Sequence, residues 1–217
     1  SIFISWCQEL QSVAQEMNID LPIYPAAEIA LSMDNLDLLP QPGPYCINGG
    51  NYALIELPAF EIPSYALEFF FTLLTRGITP ILAHPERQGE IIKNPDLIVD
   101  WVQRGILVQV NAGSLLGKFG ERARTTAFLL LDNNLVHFVG SDAHSARGRN
   151  PKLDQVAALI ADRCGKEKVK ELFTINPAKV IQGERFDVPL VDRIVYPEKQ
   201  NGWRQMLSWL NPVKVWK

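Results

Sequence analysis

Glu28, Glu56 and His84 follow one another at equal spacing, 28 residues apart each time (28 to 56, 56 to 84). A second carboxylate–imidazole pair, Asp142 and His144, closes the series in Ser141-Asp142-Ala143-His144. Oxygen and nitrogen donors with no thiolate among them suit Mn, Fe or Zn better than Ca or a thiolate-held metal. In an extended segment the i, i+2 spacing of Asp142 and His144 puts both side chains on one face, as a metal or a general acid requires. Two arginines accompany these signals, Arg87 three residues after His84 and Arg149 five after His144. A guanidinium beside a cationic centre suits a bidentate grip on phosphate; the other reading is a salt bridge to Glu86 or Asp142. Arg147 is a weaker alternative to Arg149. A lone Glu at a strand end is often a helix N-cap or surface partner, and His84, before Pro85, could be an ordinary loop histidine. His137 sits mid-strand, reads as core and is left out of the site.

Such residues do chemistry together only if the chain aims them at one place. Each candidate ends a short apolar run: residues 21–27 lead to Glu28, 52–55 to Glu56, 78–83 to His84 and 135–140 to Ser141-Asp142. A helix is expected over residues 2–17, with Ile2, Trp6, Leu10, Val13 and Met17 on one face. After a polar connection over 34–50, Pro63 suits a first helical turn, 65–74 the helix body and Gly77 a left-handed cap. Helices are further expected over 97–103, 121–131 and 153–163, and a strand over 107–111. Five successive βα units predict a parallel sheet whose strand ends share one face. Carboxylates gathered there repel one another unless cations or protons compensate them, so a centre of more than one metal ion is expected. The loop over 113–122, with Gly113, Gly117, Gly120, Lys118 and Arg122, could frame a substrate mouth or serve as a flexible connection.

Composition narrows the function classes. A chain of 217 residues, 47% hydrophobic and 21% charged, is long enough for one well-buried α/β domain. A net charge of −3 argues against a general nucleic-acid surface. Cys7, Cys46 and Cys164 form no CxxC pair and read as reduced thiols of a cytoplasmic protein. A cysteine-nucleophile phosphatase needs an arginine six residues after its thiolate, where this chain has Val13, Tyr52 and Lys170, so that mechanism is excluded. No transmembrane span or signal peptide is expected. Because the chain opens on Ser1 and not Met, a longer gene product is expected.

Several segments carry a family resemblance: Ala27-Glu28-Ile29, Tyr52-Ala53-Leu54-Ile55-Glu56, Ala83-His84-Pro85-Glu86-Arg87, Gln109-Val110-Asn111-Ala112-Gly113-Ser114, Ser141-Asp142-Ala143-His144 and Asn176-Pro177. In order and spacing, over residues 21–183, they resemble the bacterial manganese-dependent tyrosine-protein phosphatases of the PHP superfamily, which belong to capsule and exopolysaccharide operons. The resemblance implies an α/β fold, a distorted (β/α)7 TIM-like barrel with several divalent ions, Mn with Fe or Zn as alternatives. It implies Glu28, Glu56, His84, Asp142 and His144 as metal ligands and Arg87 and Arg149 as phosphate contacts, with Asp142 or His144 also open to acid or base roles. The family's opening His-x-His strand, its Asp-Asp-Gly and the His of its second unit have no counterpart here, so the first βα units of the barrel are expected to be missing. Domain boundaries are expected at 1–183 for the phosphatase domain and 184–217 for a tail. The implied partner is a phosphotyrosine-bearing protein, a bacterial tyrosine kinase; the alternatives are a small-molecule phosphatase acting on a compound like histidinol phosphate, or an inactive binding domain. In the tail, Trp203, Met206, Leu207 and Leu210 share a helical face near Arg204, Lys214 and Lys217. Packing on the barrel is favoured for that face over contact with a membrane surface.

Overall fold

The aliphatic runs become five strands in a computed structural model that describes residues 2–186 and 191–196. These are β1 (Glu28–Ala30), β2 (Tyr52–Glu56), β3 (Thr79–Ala83), β4 (Leu107–Asn111) and β5 (Phe138–Gly140). They pair in parallel in the order β1-β2-β3-β4-β5. Residues in register share a face, so Leu54, Ile81 and Leu107 line one side, and Phe138 lies beside Gln109 on that side. Tyr52, Ile81, Leu107 and Phe138 make a small core there with Val180 and Phe186. The alternate residues Ile55, Leu82, Val108, Val110 and Val139 join the larger core with the helices. Burial of β2 to β5 on both faces explains why these strands read as unbroken apolar runs, while edge strand β1 buries Ile29 alone.

Helices follow β2 to β5 as the periodicity predicts, whereas β1 is joined to β2 by two short 3-10 turns, Met33–Leu38 and Ile47–Gly49, and not by an α-helix. Helix α1 is Ile2–Glu16 and α2 is Ala66–Thr75, which buries Phe69, Phe70 and Leu73. Helix α3 is Gly89–Lys93, and α4, Asp96–Gln103, packs Trp101 edge-on against Phe70 at 5.4 Å. Gly77 and Gly105 stop α2 and α4 with φ of 73° and 91°, a conformation that side chains other than glycine resist. Helix α5 (Ala112–Leu115) forms inside the loop expected at 113–122, and α6 (Glu121–Asp132) follows it. Then come α7 (Asp154–Cys164), α8 (Lys166–Lys170) and α9 (Asn176–Gln182), with Val180 of α9 in the small core.

Three local expectations change. The first strand begins at Glu28 instead of ending there. Pro22 and Pro25 cannot donate to a ladder, and the Ile23 amide goes to the Gln11 side chain at 2.7 Å. The fifth strand starts at Phe138, since the Val108 amide donates to Nδ1 of His137 at 3.1 Å and so is withheld from a neighbouring carbonyl. Helix α1 forms, yet its apolar face stays largely exposed: Ile2, Trp6, Leu10, Val13 and Met17 are 44–66% accessible, and Ala14 is its buried residue.

Beyond Gly183, the Tyr52 hydroxyl donates to the Glu184 carbonyl, and Phe186 packs on the rings of Tyr52, His137 and Phe138. Residues 191–196 lie on α4 and α6: Gln103 donates to the Val191 carbonyl at 2.6 Å, Asn133 exchanges two hydrogen bonds with Val195, and Ile194 is buried. The stripe of Trp203, Met206, Leu207 and Leu210 lies outside the described residues. Cys7, Cys46 and Cys164 are free thiols. Among the described residues, no helix is long and apolar enough to cross a membrane.

Candidate active site

Glu28 opens β1 in register with Leu54, and Glu56 ends β2 two residues beyond Leu54, so both carboxylates lie on the same side of the sheet. His84 follows β3. Its amide continues the ladder to the Gln109 carbonyl at 2.8 Å, while its own backbone turns left-handed with φ 36°. The imidazole thereby returns to the carboxylates, with Nε2 3.1 Å from Glu28 Oε1 and 3.6 Å from Glu56 Oε1. One donor atom from each of Glu28, Glu56 and His84 lies within 4.8 Å of the others. Burial pulls the imidazole pKa down, and Arg87 does the same. The hydrogen bond to Glu28 and the charges of Glu28 and Glu86 outweigh them, and His84 titrates above an ordinary histidine. A protonated Nε2 or a metal cation between the two carboxylates would offset their mutual repulsion.

A second group forms past β5. Asp142, also left-handed at φ 48°, is nearly buried. Its Oδ2 accepts from Asn111 Nδ2 at 2.8 Å and Arg149 Nη2 at 2.5 Å, and lies 3.3 Å from Arg87 Nη1. Arg149 Nε also donates to the Asp142 carbonyl at 3.1 Å. His144 lies against Arg149, with Nη2 2.7 Å from its Nδ1, and its side chain is 62% exposed. The His144 and Ser145 amides close this loop on the Arg149 carbonyl at 2.8 and 3.2 Å. Arg147 is exposed on the same loop.

Thus Glu28, Glu56 and His84 converge, and Asp142, His144, Arg87 and Arg149 form an adjoining group. Among the described residues, Asp142 and His144 are not part of the convergent donor set. Arg87 pairs with Asp142 and not with Glu86, because Glu86 is turned into the protein.

Residues 3–182 match the family described as capsular polysaccharide synthesis, CpsB/CapC. The chain belongs to the CpsB/CapC family. It is 36% identical over 203 residues to CapC of Staphylococcus aureus, covering 92% of this chain and 76% of CapC. It is 35% identical over 150 residues to the tyrosine-protein phosphatase YwqE of Bacillus subtilis, covering 69% of this chain and 59% of YwqE. With the tyrosine-protein phosphatase CpsB of Streptococcus pneumoniae the identity is 32% over 181 residues, 81% of this chain and 74% of CpsB. A solved structure from work on YwqE and CpsB, described as unique metal-dependent tyrosine phosphatases, superimposes with a TM-score of 0.77 at 29% identity, over 88% of this chain and 76% of that chain. The motif resemblance is borne out at the level of the family, and the α/β fold with a parallel sheet is shared with that structure.

In this CpsB/CapC chain, four further residues, Glu86, Asn111, Ser114 and Phe119, shape the site. Glu86 is fully buried, and its Oε1 accepts from Ser114 Oγ at 2.6 Å and the Asn111 amide at 3.1 Å, while Oε2 has no partner among the described residues. Burial drives the Glu86 pKa up, and the bonds from Ser114 and Asn111 only partly offset it. Asn111 uses Oδ1 to cap α5 through the Gly113 amide at 2.7 Å and Nδ2 to hold Asp142. Phe119 lies beside both arginines, its ring centroid 4.3 Å from Arg87 Cζ and 5.9 Å from Arg149 Cζ. A polar residue ending an apolar strand could have flagged Asn111; nothing local marks Phe119.

Proposed function

We propose that this chain carries the metal and phosphate site of a protein-tyrosine phosphatase that acts in the cytoplasm on a bacterial tyrosine kinase controlling capsule or exopolysaccharide synthesis. The observation that carries the reading is a convergent Glu28-Glu56-His84 donor set beside two arginines that meet on one carboxylate oxygen. The names of the relatives support phosphotyrosine as the substrate class. Five parallel strands in sequential order support a further reading, that they form part of a distorted (β/α)7 barrel.

The donor set fits a divalent cation: two carboxylates and an imidazole with converging atoms suit Mn, and also Fe or Zn. When bound, such an ion would lower the pKa of a water and offset phosphoryl charge. Glu28, Glu56 and His84 would hold it. Arg87 and Arg149 share Asp142 Oδ2; a phosphoryl group brings more oxygens and can engage both guanidinium groups in its place. Asp142 and His144 serve the same centre, as further ligands or as proton carriers. Asp142 positions both arginines, and exposed His144 can exchange a proton with a phosphoryl or leaving oxygen. A phenolate leaving group needs little protonation, so hydrolysis of phosphotyrosine depends most on charge stabilisation.

The test is release of phosphate from a phosphotyrosine peptide by this chain, with and without Mn. Hydrolysis that needs Mn and disappears in Asp142→Ala and His144→Ala supports the proposal. Faster hydrolysis of histidinol phosphate would favour a small-molecule phosphatase, and Mn binding without hydrolysis of either would favour a binding domain.

A further inference from the structure

The loop between α5 and α6 is a tight turn that presents one side chain. Gly117 and Gly120 hold φ of 79° and 89°, the Lys118 amide donates to the Gly113 carbonyl at 2.8 Å, and the Gly117 amide donates to the Ser114 carbonyl at 2.9 Å. Between the two glycines Phe119 folds back over Gly113. A Cβ at Gly113 would lie 2.7 Å from Phe119 Cε2, closer than two carbons can sit, so the ring occupies its place only because residue 113 has no side chain. Glycine at 113 is thus required by what lies against it, the Phe119 ring and Asn111 Oδ1 at 3.0 Å, and not by its backbone, whose φ is not positive.

The ring in turn contacts the two guanidinium groups proposed to grip phosphate. Arg87 comes from the end of β3 and Arg149 from the loop after β5, and Phe119 belongs to neither element. Its centroid is 4.3 Å from Arg87 Cζ and 5.9 Å from Arg149 Cζ, both inside the range where a cation is attracted to a ring face. Both side chains are about a third exposed. Long flexible side chains of that kind lose rotamer freedom when they must converge on one ligand. Asp142 supplies one common anchor through Oδ2, but a phosphoryl group would compete for those same guanidinium donors. The ring would not, because an aromatic face offers no oxygen acceptor and leaves the N–H groups that point away from it available to phosphoryl oxygens.

We infer that Phe119 is a positioning residue for phosphate recognition: it holds Arg87 and Arg149 in place by cation–π contact while the N–H groups not directed at the ring remain available to the phosphoryl oxygens. This rests on the reading of the two arginines as phosphate contacts. Gly113 acts with it by leaving room for the ring.

The experiment is calorimetric binding of inorganic phosphate to the Mn-loaded protein, alongside its metal content and melting temperature. Phe119→Leu keeps an apolar side chain and removes the π face. It is expected to weaken phosphate binding about five- to thirty-fold, with metal content and melting temperature unchanged, and Phe119→Tyr is expected to restore wild-type affinity. Gly113→Ala, which displaces the ring without altering it and also presses on the Asn111 side chain, should give at least a similar loss. Phosphate affinity within twofold of wild type in Phe119→Leu would overturn the inference, as would failure of Phe119→Tyr to recover it or a parallel loss of metal. If Phe119→Leu does not fold, unaltered phosphate affinity in Gly113→Ala overturns it instead. Because phosphate binding is read directly, failure of the phosphatase reading, an absence of turnover by the unaltered protein, is recorded separately.

Discussion

His84 and Asp142 share an unusual backbone: each stands just past a strand end, after β3 and β5, with a left-handed φ of 36° and 48°. A side chain in that region costs about 1–2 kcal/mol, and such strain persists where surrounding contacts hold it. For His84 the contacts are the Gln109 carbonyl and the two carboxylates; for Asp142 they are Asn111, Arg87 and Arg149.

This strain can be separated from the lost contacts. Asp142→Gly and Asp142→Ala remove the same carboxylate, but only glycine relieves the backbone. The glycine variant should be the more stable of the two by about 1 kcal/mol in urea denaturation, and neither should hydrolyse phosphotyrosine. Equal stabilities would mean that no strain is stored at this position.

Loss of a ligand should register as loss of metal. His84→Ala, Glu28→Gln and Glu56→Gln should each weaken Mn binding by at least about tenfold in calorimetry, while the melting temperature without metal changes little for the two exposed carboxylates. Unchanged Mn affinity in Glu28→Gln would remove Glu28 from the centre.

Ser114 supports the site from beneath. Its hydroxyl donates to the buried Glu86 carboxyl, whose Oε2 lacks a partner among the described residues. Ser114→Ala should cost about 1–3 kcal/mol of stability, the penalty of a buried polar group left short of hydrogen bonds. A cost below about 0.5 kcal/mol in chemical denaturation would show that Glu86 has found another partner.

His137 makes stability depend on acid. Burial, reinforced by Lys168, lowers its pKa to about 4, against about 6.5 in an unfolded chain. Between those values the unfolded state binds a proton that the native state refuses. The contribution is therefore complete above about pH 6.5 and falls away toward pH 4, by up to about 3 kcal/mol. His137→Gln retains an acceptor for the Val108 amide and cannot titrate. Its stability should fall less steeply than that of the unaltered protein between pH 6.5 and 4, and identical acid profiles would contradict the assignment.

Much of this was legible before any coordinates. Equal spacing of Glu28, Glu56 and His84 is the length of one βα unit, and apolar runs punctuated by Gly77 and Gly105 announce the alternation of strands and helices. These are local signals: side-chain size, backbone preference and periodicity act within a few residues and survive in any context. Even the misplacement of β1 has a local cause in Pro22 and Pro25. Other features depend on which distant groups meet. That Arg87 turns to Asp142 and Glu86 to Ser114, that Phe119 sits beside two arginines and that Asn111 joins β4 to Asp142 are choices among partners 28 or more residues apart in sequence. The same holds for the exposed stripe on α1, whose periodicity announces a helix but is silent on what packs against it. Secondary structure and candidate donors follow from the order of residues alone; hydrogen-bond partners, burial and the geometry of the phosphate grip exist only once the strands lie side by side, because each is a competition between groups that folding brings within a few ångströms.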